Sequence, residues 1–161
     1  SGLVYGEIPR SLSEGETGGE ICGGFMISIN NLQRKIRIPR TRMKRLVRLI
    51  LQKEKKPKWE VSFAIVDNRH IRKLNRQYLE HDYATDVLAF PMTPPLLGEV
   101  ILSAEFAIKE AKSRGISPQE ELLRYAAHGL LHLLGYDDHD PGDKKVMWAR
   151  QEQYLEASRN G

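Results

Sequence analysis

A single α+β domain is the fold class that this 161-residue sequence predicts: a mixed sheet of about four strands packed with about five helices, and a metal site at the end of the central helix. Three observations point there. Strand-like runs and runs of helical period alternate along the chain without any internal repeat. Two short strand-like runs flank a Pro-rich loop and read as an antiparallel hairpin. The stretch HGLLHLLGYDDHD, residues 128–140, crowds three of the five histidines beside three acidic residues, at the end of a strongly apolar helical segment.

The elements follow in order. Seven of the thirteen glycines lie in the first 25 residues, where no period of two or of 3.6 persists, so residues 1–25 are expected to be a flexible extension or a cloning remnant and residues 26–161 the folded domain. MISIN, from Met26, reads as the first strand. Between Thr41 and Lys56, after Pro39, the residues Met43, Leu46, Val47 and Ile50 share one helical face, which predicts an amphipathic helix with a basic outer surface. EVSFAIV, residues 60–66, is rich in strand formers, and Ile71, Leu74 and Tyr78 place a helix over Asn68 to Leu79. DVLAFP and GEVILS then supply the hairpin. Ser103 can cap a helix that runs to Arg114 and stops at Gly115. Ser117, Pro118 and Glu120 provide the cap, first-turn proline and capping-box acid of the next helix. From Pro118 to Leu134 this helix is apolar around most of its circumference, which makes it the central one. A last helix spans Gly142 to Ala157.

Composition narrows the function classes. Hydrophobic residues at 40% and charged residues at 29% are ordinary for a globular protein, and no apolar run approaches the roughly 20 residues of a membrane helix. A soluble, cytoplasmic protein without a membrane partner is expected. Cys22 stands alone, so any metal site must rest on His, Asp and Glu. Charge is uneven: between Arg34 and Lys58 lie twelve Lys and Arg against one acid, Glu54. Such a segment, with Arg42, Lys44, Arg45 and Arg48 at its centre, suits a polyanion such as nucleic acid; its plainer reading is a solvated helix face.

His128 and His132 are four residues apart, so a helix stacks them on one face about a turn apart, where they can grip one ion. Alone, the pair could equally be two satisfied boundary histidines. The glycine stop at Gly135 and the turn through Tyr136 then bring Asp137, Asp138 and His139 back toward them. Two histidines, one more protein ligand and an open position for water form the catalytic type of zinc site. The arrangement is similar to the metzincin HExxHxxGxxH, but the position of its general base is Gly129, which argues against a zinc peptidase.

HGLLHLLGYD, together with TDVLAFP at 85–91 and GEVILS at 98–103, resembles the YbeY family of metal-dependent endoribonucleases over about Met26 to Tyr154. The resemblance implies a zinc ion, or another divalent transition metal, acting on single-stranded RNA. It also implies a role in ribosomal RNA maturation and ribosome quality control, with ribosomal RNA precursors, the small ribosomal subunit and assembly factors as partners. The family motif resembles HGxLHLxGYDH, all three histidines being ligands. By spacing its third ligand falls on Asp138, with His139 one residue late. In the family a methionine tends to follow the third ligand by nine residues, and Met147 follows Asp138 by nine, so Asp138 is the expected ligand and His139 the alternative. A carboxylate in place of an imidazole leaves the site less positive, and activity should then need a higher pH than in a three-histidine relative.

Leu79 occupies the position of an arginine implicated in catalysis in the family. Arg76, Lys73 or His81 is expected to replace its charge, unless the metal acts alone; each is otherwise a surface residue. Thr85 and Asp86 are expected to line the cleft, Thr85 having a turn-closing alternative. Asp137 is a proton acceptor or, more plainly, a turn carboxylate. The competing expectation is a ribosome-associated RNA-binding assembly factor whose metal is structural.

Overall fold

The run EVSFAIV carries apolar side chains on both of its faces, and that dictates its place. As the strand β4 (Glu60–Val66) it lies inside the sheet, between parallel neighbours β3 (Phe25–Asn31) and β6 (Leu96–Ser103). Val61, Phe63 and Ile65 point into one apolar cluster, Ala64 and Val66 into another on the opposite face. Beyond β6 comes β5 (Val87–Pro91), antiparallel to it as the hairpin reading expects. Val87 and Leu102, register partners, face the first cluster; Leu88 and Ile101, the next pair, face the second.

This computed structural model describes residues 2–3, 19–22, 24–56 and 58–159. Within them the four-stranded mixed sheet gains a short strand at each edge: β1 (Gly2–Leu3) runs parallel to β5 and β2 (Glu20–Cys22) antiparallel to β3. The order is β1-β5-β6-β4-β3-β2. Most of the extension expected over residues 1–25 lies outside the described residues; the described parts pair with the sheet edges. No helix among the described residues is long and apolar enough to cross a membrane.

Among the described residues, five helices cover the sheet unequally. On the first face α4 (Pro118–Leu133) packs on β5 and β6, flanked by α1 (Arg40–Lys53), α3 (Ala104–Arg114) and α5 (Pro141–Arg159). The second face is covered by α2 (Asn68–Leu79), whose Ile71 and Leu74 meet Leu88, Phe90 and Ile101. Caps start the helices where the sequence expects: Ser103 accepts from the Phe106 amide at 3.1 Å and Ser117 from the Glu120 amide at 3.2 Å.

Two glycines set the position of α4. At Gly129 a Cβ would stand 2.4 Å from Val100 Cγ1 and 3.1 Å from Val87 Cγ1, so this helix touches the sheet through its bare backbone. Gly135 has φ 101°, which reverses the chain after the last turn and sends it back along the histidine face.

Candidate metal centre

His128 and His132 emerge from the last turns of α4 on the side facing α5. Their Nε2 atoms lie 3.2 Å apart, and the Asp138 Oδ2, brought back by the turn at Gly135, is 3.5 Å from the first and 3.4 Å from the second. The outward nitrogens settle the tautomers. His128 Nδ1 donates to the Gln151 Oε1 at 2.9 Å, and Gln151 is held in that orientation by its own amide donating to Glu152 at 3.3 Å. His132 Nδ1 donates to the Tyr136 carbonyl at 3.1 Å. Both Nε2 atoms therefore carry lone pairs, and both face a carboxylate oxygen. Burial first, then the neighbouring His132, hold His128 below its ordinary pKa, which keeps the ring neutral.

Three acceptor atoms that converge on one point repel one another, and a cation held among them would relieve that repulsion. Their spacing fits one: a tetrahedral zinc with bonds of about 2.0–2.2 Å sets its ligand atoms roughly 3.3–3.6 Å apart. The donor set of two imidazoles and one carboxylate suits zinc and other divalent transition metals alike. His139, the alternative ligand, has its side chain 89% exposed and makes a 3.5 Å approach to Asp137 instead. Asp137 Oδ1 accepts the amides of Asp138 at 2.7 Å and His139 at 3.1 Å, the bonding of a turn carboxylate.

A family model described as Endoribonuclease YbeY matches residues 28–159. The chain belongs to the YbeY family. A relative from Carboxydothermus hydrogenoformans, named Endoribonuclease YbeY, is 37% identical over 139 residues, covering 82% of this chain and 96% of the relative. Relatives of the same name from Myxococcus xanthus and Anaeromyxobacter dehalogenans are 46% and 44% identical, but the chain spans only 35% and 53% of their length. A solution structure from Thermotoga maritima superposes with a TM-score of 0.61 at 29% identity, over 83% of this chain and 89% of that one.

Against this YbeY fold the remaining expected site residues divide by sheet face. Asp86 stands at the start of β5 and lines the same cavity as His128 and Asp138; its Oδ1 accepts the Val87 amide at 2.8 Å and the Thr85 hydroxyl at 3.2 Å. Leu79 packs against the second apolar cluster, across the sheet from α4. Arg76 and Lys73 are exposed on the same helix, and His81 stacks on Tyr83 with ring centroids 5.3 Å apart; none of the three lines the cavity. On the basic helix α1, Arg42 is drawn into an ion pair with Glu120, while Arg45 and Arg48 are half-buried along its outer side and Lys44 is likewise half-buried.

Sequence reasoning missed Gln151, which fixes the tautomer of His128 from 23 residues away on another helix. A signal existed. Met147, Gln151, Tyr154, Leu155 and Ser158 form the buried stripe of α5, so Gln151 is a polar side chain in the middle of an apolar face.

Proposed function

We propose that this chain is a zinc-dependent endoribonuclease that hydrolyses phosphodiester bonds in single-stranded RNA, in the cytoplasm, during ribosomal RNA maturation and ribosome quality control. The convergence of His128 Nε2, His132 Nε2 and Asp138 Oδ2 carries this reading, and membership in a family named for endoribonucleases supports it. Ribosomal RNA precursors are the proposed substrate, with the small ribosomal subunit and assembly factors as partners.

In this proposal His128, His132 and Asp138 hold the ion, and Gln151 and the Tyr136 carbonyl orient the two imidazoles. A zinc ion in that position supplies an acidified water and stabilises charge on the phosphoryl oxygens. Asp86, in the cavity wall with His128, accepts the proton; Asp137 is committed to its turn. Phosphate charge is met by Lys144 and Arg114, which line the cavity, rather than by Arg76 or His81 across the sheet. The outer side of α1, with Lys44, Arg45 and Arg48, holds the RNA backbone without reading its sequence. The peptidase alternative is less favoured, because Gly129 stands where its base would be and a Cβ at that position would lie 2.4 Å from Val100 Cγ1.

One observation favours a second reading: Leu79 replaces the arginine of the family, as expected of an assembly factor whose metal is a clamp. A single experiment separates the two. Labelled RNA, single-stranded and duplex, is incubated with metal-replete protein, with chelated protein and with a His128→Ala, His132→Ala double variant. Cutting of the single strand that disappears in both controls is the expected result. Salt-sensitive binding without cutting would overturn the nuclease reading in favour of the assembly factor.

A further inference from the structure

The cavity beside the histidines extends between α3, α4 and α5 and encloses about 280 Å³. That is small for a ligand pocket and suits one flat ring system rather than a length of strand. Part of its wall is already satisfied. Arg124 donates to both oxygens of Glu152, at 2.7 and 3.1 Å, and to Glu121 at 3.0 Å, which locks α4 to α5. Two other groups have no protein partner among the described residues. Tyr125 is only 5% exposed, yet its hydroxyl has no hydrogen-bond partner. Burial, followed by the nearby charges of Asp86, Glu121 and Glu110, pushes its pKa up, so it remains a donor. Glu110 lines the same cavity and its carboxylate has no hydrogen bond or ion pair among the described residues. A buried donor without a partner and a half-buried carboxylate lining the same cavity are complementary to something with an acceptor beside N–H donors.

The mouth has a different chemistry. Trp148 is 44% exposed, and the planar Arg114 guanidinium lies 5.4 Å from the centre of its ring. An exposed indole at the rim of such a cavity is a stacking platform for a flat ligand. Lys144, one helical turn before Trp148, is exposed and without an ion-pair partner among the described residues. His128 and Asp138 close the same cavity, so a nucleotide stacked on Trp148 brings its phosphate to the metal group and to Lys144.

We infer that this cavity is a base subsite selective for an unpaired guanine next to the scissile phosphate, read by Glu110 and Tyr125 and stacked on Trp148. The inference rests on the nuclease reading above. Guanine is the base whose Watson–Crick edge sets an acceptor, O6, beside two adjacent donors, N1–H and N2–H. The Tyr125 hydroxyl donates to O6, and the two oxygens of Glu110 accept the pair of N–H groups. Uracil offers a single donor between two acceptors, and neither adenine nor cytosine offers two neighbouring ring-edge donors. In a duplex this edge is occupied, which gives the site its preference for single strands.

The test titrates the full chain with 5′-GMP, 5′-AMP, 5′-CMP and 5′-UMP, following tryptophan fluorescence and, independently, equilibrium dialysis. A Trp148→Phe variant separates Trp148 from Trp59, and thermal melts confirm that Glu110→Gln and Trp148→Phe remain folded. The expected result is quenching by 5′-GMP with affinity at least about fivefold above that for 5′-UMP, the lower end of what a bidentate base contact contributes. Glu110→Gln should reduce that ratio to near one, and Trp148→Phe should abolish the quench and weaken all four nucleotides. Equal affinities in the parent chain, or a guanine preference unchanged by Glu110→Gln, would overturn the inference. Cleavage of labelled RNA by the same samples keeps the two claims apart. Cutting without base preference and without quenching sinks the subsite and leaves the nuclease; guanine-selective binding without cutting does the reverse.

Discussion

The two faces of the sheet each bury ionisable groups, and they treat them differently. On the α4 face His128, His132 and Asp138 converge to within 3.5 Å, and both histidines have their second nitrogen occupied. On the α2 face Glu99 sits in β6 opposite Phe90, 2% exposed, with an oxygen that no donor reaches. Desolvation alone raises its pKa to about 7. The contrast shows that burial of a charge is not in itself a mark of function. A site is recognised where several groups are aimed at one point and their orientation is fixed by others; Glu99 is an isolated cost.

The sharpest way to break this contrast is to dismantle the convergence. Asp138→Ala should lower metal affinity by more than the roughly 10–100-fold that loss of an outer-shell partner causes, and Gln151→Leu should fall within that range. His139→Ala should leave it unchanged. Competition with a chromogenic chelator measures all three, and an effect of His139→Ala equal to that of Asp138→Ala would move the third ligand by one residue.

Glu99 should respond in the opposite sense, through stability and not through metal. Below pH 4.5, its ordinary value, the carboxyl is neutral in both the folded and the unfolded chain. As pH rises from there to about 7 the unfolded chain loses the proton first, so stability falls; above about 7 the loss is complete and constant. The interval corresponds to about 3 kcal/mol at most. Glu99→Gln should therefore gain stability over the parent at pH 8 and none at pH 4, with metal affinity untouched. Urea unfolding at the two pH values gives the difference directly, and an equal effect at both would mean that Glu99 has a partner in solution.

Where the sheet receives the central helix the expected effect is smaller. Gly129→Ala pushes a Cβ to 2.4 Å from Val100, and overpacking of this kind costs about 1–3 kcal/mol. A companion Val100→Ala should recover part of that loss, and failure to recover any would place the strain elsewhere.

Legibility in the sequence follows the same division. Local patterns carried most of the fold: the strand formers of Glu60–Val66, the hairpin around the Pro-rich loop and the caps at Ser103 and Ser117 were all readable, because each depends on neighbours in sequence. The four-residue spacing of His128 and His132 was readable for the same reason, whereas Asp138 was expected only through the family resemblance and its register with Met147. Gln151, Glu110 and Trp148 were not, since their meaning depends on how α3 and α5 are rotated against α4. Glu99 was hidden by its strand, where one polar residue among apolar ones reads as facing solvent. The short strands β1 and β2 fell in a glycine-rich stretch that has no period to detect.

The smallest expected effect concerns the polar link between the faces. Ser103 ends β6 and begins α3; its hydroxyl accepts the Phe106 amide at 3.1 Å and donates at 2.6 Å to Asn68 Oδ1, at the start of α2. Asn68 in turn donates its amide to Glu105 at 3.1 Å. Ser103→Ala removes a helix cap and leaves the half-buried Asn68 oxygen with one partner fewer, which should cost about 1 kcal/mol. Adding Asn68→Ala should then cost less than it does alone, because the pair has one bond to lose and not two. If the two losses simply add, the faces are joined only through the strands they share, and metal affinity should be indifferent in either case.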